Sequence, residues 1–261
     1  MGSLDPLATG MLPICLNEAT KLADDILSAR KCYRFEIALG ARTSTGDREG
    51  SVIETRPVPA LPRAEIEAVL RGFLGGSMQI PPMYSALKRD GQPLYRLARA
   101  GIEVERAPRA IELSSLSLLE QRGDSLLLET VCSKGTYIRV LAEDIAAKLG
   151  TCGHVAMLRR LYVEPFTREP MQTLEEVETR CAQGLAPRLI PADEAVSYLP
   201  AVRLGLIESA RIRQGQRIAA PAELSASRVR LYDAGGEFFG IGLCDGMQSL
   251  TARRLFAGAP A

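Results

Sequence analysis

The sequence predicts an α+β protein, with a larger region of mixed strands and helices followed by a smaller region of short strands. Residues 32–40 and 51–55 alternate apolar and polar side chains, as half-buried strands do. Residues 136–150 place apolar side chains at helical spacing. The last quarter of the chain holds short strand-like segments at intervals typical of a small β-barrel. A chain of 261 residues can form two unequal domains, which we assign to 1–197 and 198–261.

The elements of the first region can be placed from local pattern and end signals. Helices are expected at 17–29, at 64–76, where glycines close the helix, and at 136–150, with Thr136 as cap and Gly150 as stop. Thr173 and Glu176 form a capping-box pattern that opens a further helix. Strands are expected at 32–40, at 51–55 as its partner, at 111–121 and 125–133 as a hairpin around Gly123 and Asp124, and at 154–166.

The tail and a central segment stand apart from this pattern. Strand-like segments of the tail lie at 211–218, 227–233, 237–243 and 250–256. Residues 77–110 are rich in proline, glycine and basic side chains, and they are expected to form a long insertion. On charge alone, a solvated face explains these basic residues adequately.

Composition excludes several classes of protein. The formal net charge is +1, so the whole chain does not have the strongly basic character of many nucleic-acid binders. No apolar run is long enough to span a membrane, and no secretory signal opens the chain. The six cysteines form no C-x-x-C pair and there is one histidine, which argues against a zinc site. We expect buried, reduced thiols in a cytoplasmic protein.

The stretch GSLDPLATG, residues 2–10, has the composition of a turn and includes an acidic residue. Asp5 precedes Pro6, and Gly2 and Gly10 flank the stretch. From these residues alone, Asp5 has the pattern of an Asx-type turn residue. Its role therefore depends on what the rest of the chain contains.

Five motifs occur together and in order: GSLDPLATGMLP, KCYRFEIALG, IPPMYSALK, CSKGTYIRVLAEDI and HVAMLRRL. In this order the sequence resembles the TruB family of bacterial tRNA pseudouridine synthases over nearly its whole length. The family carries a few tens of residues before the glycine that matches Gly2, so the resemblance implies that this chain lacks the family's N-terminal segment. The family's motif histidine belongs to that segment, and we expect His154 to be structural.

The resemblance implies a fold and a reaction. The fold would be a mixed-sheet catalytic domain with a mobile lobe at 77–110, followed by a small PUA-like β-barrel. The reaction would convert the uridine at position 55 of the tRNA T-loop to pseudouridine after base flipping, without a metal or other cofactor. The partner would be tRNA, through its T-stem loop and through its acceptor end at the C-terminal domain. The enzyme would be a cytoplasmic monomer that binds no membrane.

The resemblance also assigns roles to individual residues. Asp5 matches the catalytic aspartate, and Arg139 would be its ion-pair partner because a buried carboxylate needs one to stay charged. Tyr33 would stack on the target base and move a proton. Tyr137 and Leu158 would hold the flipped nucleotide, although core packing explains Leu158 equally well.

Three basic or aromatic residues are expected to contact the RNA elsewhere. Lys134, beside the first backbone amides of the helix at 136–150, would cradle a phosphate. Tyr84 and Lys88 lie in the insertion, where aromatic and cationic side chains suit an unstacked RNA loop.

Two other functions remain open at this point. A non-catalytic tRNA-binding or tRNA-folding module would keep the ancestral residues without turnover. A carboxylate glycoside hydrolase also cleaves at an anomeric carbon, but it needs a second acid, and none is evident beside Asp5.

Overall fold

The computed structural model describes residues 2–224, 227–246 and 248–256. The strands are β1 Thr9–Gly10, β2 Lys31–Leu39, β3 Ala41–Thr43, β4 Val52–Thr55, β5 Gly75–Gln79, β6 Lys88–Arg89, β7 Gln92–Pro93, β8 Arg109–Arg122, β9 Ser125–Cys132, β10 Gly153–Val163, β11 Ala201–Arg203, β12 Ile218–Ala219, β13 Ser227–Tyr232, β14 Phe238–Cys244 and β15 Ser249–Leu255. The α-helices are α1 Ala23–Ser28, α2 Arg63–Arg71, α3 Leu94–Arg99, α4 Ile138–Lys148, α5 Leu174–Ala182 and α6 Leu206–Arg213, and 3-10 helices span Asn17–Leu22 and Ala192–Val196.

The described chain forms two compact units. One comprises Gly2–Leu12 and Ser28–Val163, and the other comprises Pro13–Leu27 and the described part of Glu164–Ala261. No helix in these described residues is long and apolar enough to cross a membrane.

The first unit is organised by a six-stranded sheet with the order β1-β10-β2-β9-β8-β5. Its pairs are antiparallel except for β1, which lies parallel to β10. Helices α2 and α4 pack on the sheet and supply Ile66, Leu70, Leu141 and Ile145 to a core that includes Phe35. The predicted strand at 32–40 is confirmed as β2, which lies inside the sheet and is hydrogen-bonded to a neighbouring strand on each edge.

Two predictions for this sheet were wrong. Strand β4 pairs with β3 rather than with β2, because β9 and β10 occupy both edges of β2. The helix expected at 64–76 ends at Arg71, and Gly75 with φ +88° begins edge strand β5 instead. Two consecutive glycines predict the end of a helix, but here they begin a strand that pairs with β8.

The insertion is shorter and more ordered than the sequence indicated. Its ends at 77–79 and 109–110 belong to β5 and β8. Between them, β6 and β7 form a small hairpin and helix α3 buries Leu94. Secondary structure therefore occupies part of a segment that was expected to be a loop.

Helix ends also differ from expectation in one case and agree in another. Thr136 does not cap α4, because its hydroxyl donates to the Ser133 carbonyl at 3.0 Å and the N-cap residue is Tyr137. The capping box of α5 is confirmed, with Thr173 Oγ1 accepting from the Glu176 amide and the Glu176 carboxylate accepting from the Thr173 amide.

The second unit contains a five-stranded sheet with the order β11-β13-β14-β15-β12, a curled half-barrel around an apolar core that includes Val229, Leu231 and Leu250. The strands expected at 227–233, 237–243 and 250–256 are confirmed. The segment at 211–218 is not one strand, because its first residues complete α6 and only its last residue enters β12.

The cysteines are reduced thiols in this structure, but they are not uniformly buried. Cys32, Cys132, Cys152 and Cys244 are buried, while Cys181 is exposed on α5. Cys15 is half-buried.

Candidate active site

The turn that carries Asp5 is attached to the edge of the six-stranded sheet. The Ala8 amide donates to the Asp5 carbonyl at 2.8 Å, and Thr9–Gly10 then pairs with β10. Gly10 has φ +105°, and a Cβ there would lie 2.1 Å from the Arg160 carbonyl oxygen. A glycine is required at this close approach, and it fixes the chain directly after the acid. Asp5 is thus a turn residue through its backbone, which leaves its carboxylate available for other contacts.

Arg139 lies in the first turn of α4 and holds the Asp5 carboxylate. Its Nε donates to Asp5 Oδ2 at 2.8 Å, and its two terminal nitrogens donate to the Thr45 and Tyr84 carbonyls at 2.9 and 2.8 Å. The Arg139 side chain is 4% exposed, whereas that of Asp5 is 37% exposed. A buried cation with every nitrogen engaged is rigid, so it aims a carboxylate that is itself open to a ligand.

Asp47, which the sequence analysis missed, is a second acid at Arg139. Its Oδ2 lies 3.8 Å from Arg139 Nε, and its side chain is 6% exposed. Its Oδ1 accepts from the Thr45 hydroxyl at 2.6 Å and from the Glu49 amide at 3.1 Å. Asp47 lies in a polar segment between β3 and β4 that has the composition of an ordinary loop, so local pattern gives no sign of this contact.

Tyr33 lies in β2, opposite Arg160 of β10. Burial raises the pKa of the Tyr33 hydroxyl, and the Asp5 charge adds a smaller rise, while the Arg160 guanidinium acts in the opposite direction. The hydroxyl therefore carries its proton at neutral pH and is able to donate it.

The start of α4 is held by a residue of the neighbouring edge strand. The Gln79 side chain accepts from the Tyr137 amide at 2.8 Å and donates to the Tyr137 carbonyl at 3.1 Å. Gln79 is buried, and it satisfies the backbone amide of the N-cap residue of α4. It thereby fixes the backbone of Tyr137, two residues before Arg139. Leu158 is 5% exposed and belongs to the core cluster with Phe35, which agrees with core packing.

The remaining predicted residues are placed differently from one another. Tyr84 belongs to the site through its carbonyl, which accepts from Arg139. Lys88 is exposed in the β6–β7 hairpin of the insertion. Lys134 precedes α4 and its amine donates to Ser28 Oγ at 3.2 Å. His154 Nδ1 lies 2.8 Å from the Ala41 carbonyl, as expected for a structural imidazole.

A cavity of about 320 Å³ adjoins the ion pair. Its lining includes Arg139, Tyr84, Arg42 and Glu143, together with apolar residues of the insertion. Burial raises the pKa of Glu143, and Arg42 and Arg139 oppose the rise. Asp5 and Tyr33 are not among the lining residues, so of the three catalytic candidates only Arg139 contacts the cavity.

Comparison with known protein families identifies the family of this chain. Residues 1–138 match the family described as TruB family pseudouridylate synthase, N-terminal domain. Residues 139–197 match the tRNA pseudouridylate synthase B C-terminal domain, and residues 200–256 match pseudouridine synthase II TruB, C-terminal.

Individual relatives and solved structures are similar over most of the chain. The tRNA pseudouridine synthase B of Aromatoleum aromaticum is 45% identical over 97% of this chain and 82% of its own length. That of Nitrosococcus oceani is 46% identical over 97% and 83% of the two chains. The crystal structure of a Cbf5-Nop10-Gar1 complex contains a chain with the same fold, at a TM-score of 0.70 and 22% identity, covering 98% of this chain and 75% of that one. This chain belongs to the TruB family of pseudouridylate synthases.

Proposed function

We propose that this protein converts a uridine of tRNA to pseudouridine, and that the uridine is the one at position 55 of the T-loop. The observation that carries the proposal is the Asp5–Arg139 pair, in which a buried guanidinium aims a part-exposed carboxylate at 2.8 Å. Relatives named tRNA pseudouridine synthase B, 45–46% identical over most of the chain, support tRNA as the substrate.

The reaction needs a nucleophile and a proton path but no net reagent. The bond between N1 of uracil and C1′ of ribose breaks, and a bond between C5 and C1′ forms. The proton on C5 is lost and N1 gains one, so the product is an isomer of the substrate. Asp5 acts as the nucleophile in this scheme, and Arg139 orients its carboxylate. The flipped base must leave water, which favours a partly enclosed carboxylate over a fully exposed one.

The other predicted residues have supporting roles in the same scheme. Tyr33 stacks on the uracil. Its hydroxyl, protonated at neutral pH, donates the proton that N1 gains, and the resulting phenolate accepts the proton that C5 loses. Tyr137 and Leu158 hold the flipped nucleotide, and Lys134, Tyr84 and Lys88 contact the surrounding RNA. We assign catalysis to residues 1–197 and further tRNA contacts, including the acceptor end, to residues 198–261. The enzyme acts as a monomer in the cytoplasm.

Tritium release from a T-arm stem-loop tests the function. The RNA carries uridine labelled with tritium at C5, and release to water reports loss of the C5 proton. We expect release with the wild-type chain, none with Asp5→Asn, and wild-type release with Asp24→Asn, because Asp24 is an exposed acid in α1. A stem-loop with cytidine in place of uridine at position 55 should release no tritium.

Each alternative has its own outcome. Stem-loop binding without release by the wild-type chain would favour the non-catalytic binding module. Tritium release from the cytidine-substituted stem-loop would show that the target uridine is not at position 55, although the protein would still be an isomerase. Full activity of Asp5→Asn would refute the role of Asp5.

A further inference from the structure

Arg160 is a buried cation that the proposed reaction scheme does not use. It lies in β10 and its side chain is 1% exposed, one of the largest fully buried side chains of the described chain. Burying a guanidinium is unfavourable unless its donors are satisfied. Its Nε donates to the Met11 carbonyl at 2.6 Å, and a terminal nitrogen donates to the Gly2 carbonyl at 3.1 Å.

These two acceptors stand on either side of Asp5 in the chain. Gly2 precedes the acid by three residues and Met11 follows it by six. The Met11 amide also donates to the Arg160 carbonyl at 2.8 Å, so the contact is reciprocal at this end. One residue of the central sheet thus holds both ends of the turn that carries the proposed nucleophile.

The same guanidinium faces Tyr33. Tyr33 lies opposite Arg160 in the register of β2 and β10. The Arg160 side chain interacts with the Tyr33 hydroxyl strongly enough to oppose the rise that burial gives its pKa. Arg160, which solvent does not reach, therefore contacts both the backbone on either side of Asp5 and the Tyr33 hydroxyl.

We propose that Arg160 is a positioning residue for the isomerisation, holding the Asp5 turn and the Tyr33 hydroxyl in one fixed geometry. The inference rests on the proposed function of this site. Arg139 sets the direction of the carboxylate, while Arg160 sets the place of the backbone that bears it. A displacement of about 1 Å in a reacting group can lower a rate about 100-fold. Because Arg160 is 1% exposed, its loss should not change the affinity for RNA directly.

Single-turnover kinetics on the T-arm stem-loop provide the test. Arg160→Met keeps the length and apolar stem but removes every donor, and Arg160→Lys keeps the charge with a single donor group. The matched control is Arg159→Met, because Arg159 is the exposed neighbour whose guanidinium donates to Thr9 in the same segment at 3.2 Å. RNA binding and thermal unfolding are measured on all four proteins.

A positioning role and a purely structural role affect different quantities. We expect Arg160→Met to lower the rate constant about 100-fold at full reaction amplitude and unchanged RNA affinity, Arg160→Lys to give an intermediate rate constant, and Arg159→Met to behave as wild type. Misfolding alone would lower the amplitude and leave the rate constant of the active fraction unchanged, and that result would overturn the proposal. An unchanged rate constant in a folded Arg160→Met protein would overturn it as well.

Two safeguards separate the possible failures. If Arg160→Met does not fold, the rate constant of Arg160→Lys decides, with a wild-type value counting against the proposal. Amide hydrogen exchange of residues 2–11 reports, without turnover, whether the Arg160 hydrogen bonds hold the Asp5 turn. Exchange should accelerate in the Arg160 variants but not in Arg159→Met. An inactive wild-type chain would refute the proposed function. Unchanged hydrogen exchange in the Arg160 variants would instead refute the role of Arg160 in holding the Asp5 turn.

Discussion

Replacement of Arg139 by alanine tests whether burial gives the Asp5 contact its importance. Arg139→Ala removes an ion pair of 2.8 Å to Asp5 and the two hydrogen bonds to the Thr45 and Tyr84 carbonyls. It also leaves Asp47, 6% exposed, without the cation 3.8 Å away. Removing one partner of a fully buried ion pair costs about 3–5 kcal/mol. Here Asp47 keeps two hydrogen bonds and Asp5 is 37% exposed, so we expect a loss near the lower end, about 3 kcal/mol.

The chain offers a control with the same distance and a different environment. Arg34 and Glu129 also form an ion pair of 2.8 Å, across strands β2 and β9, but their side chains are 44% and 31% exposed. Exposed pairs contribute about 0.2–1 kcal/mol. Arg34→Ala should therefore lower the free energy of unfolding several times less than Arg139→Ala, although both substitutions break a contact of equal length.

Urea unfolding of the full chain and single-turnover tritium release measure the two consequences. We expect Arg139→Ala to lose most activity while RNA binding survives, Arg139→Lys to regain part of the stability through its charge, and Arg34→Ala to retain activity. Equal losses of stability in the two alanine variants would refute the argument from burial. An active Arg139→Ala protein would refute the proposed catalytic pair.

Two further predictions address single groups near the site. Tyr33→Phe should bind the stem-loop with wild-type affinity and turn over slowly, because it keeps the ring and removes the hydroxyl; equal single-turnover rates would exclude a role for that hydroxyl. Burial, assisted by Arg160, lowers the pKa of Lys31 to about 8 from 10.5. Between these values the unfolded chain binds more protons than the folded one, so the free energy of unfolding should rise with pH across this window, by about 3 kcal/mol relative to Lys31→Met. Urea unfolding at several pH values checks this, and a difference from Lys31→Met that does not vary with pH would contradict it.

Elements defined by local pattern were predictable, and pairings over long distances were not. The β8–β9 hairpin follows from alternation on both sides of Gly123 and Asp124, signals that lie within about twenty residues. The pairing of β4 with β3 depends instead on β9 and β10 occupying the edges of β2. The local sequence of β5 predicts the end of a helix, because Gly75 and Gly76 disfavour continued helix. Only its pairing with β8 makes this segment a strand.

The sequence by itself determined the family and the candidates Asp5, Tyr33 and Arg139, because those residues stand in recognisable motifs. The structure brings Asp5 and Arg139, 134 positions apart, into contact.

Only the tertiary structure decided the parts played by Asp47, Gln79 and Arg160, whose side chains would pass as solvated loop or strand residues. Each is buried, and a buried polar group must find its partner wherever the fold provides one. For Gln79 and Arg160 the partners lie 58 and 149 to 158 residues away, beyond the reach of any local pattern.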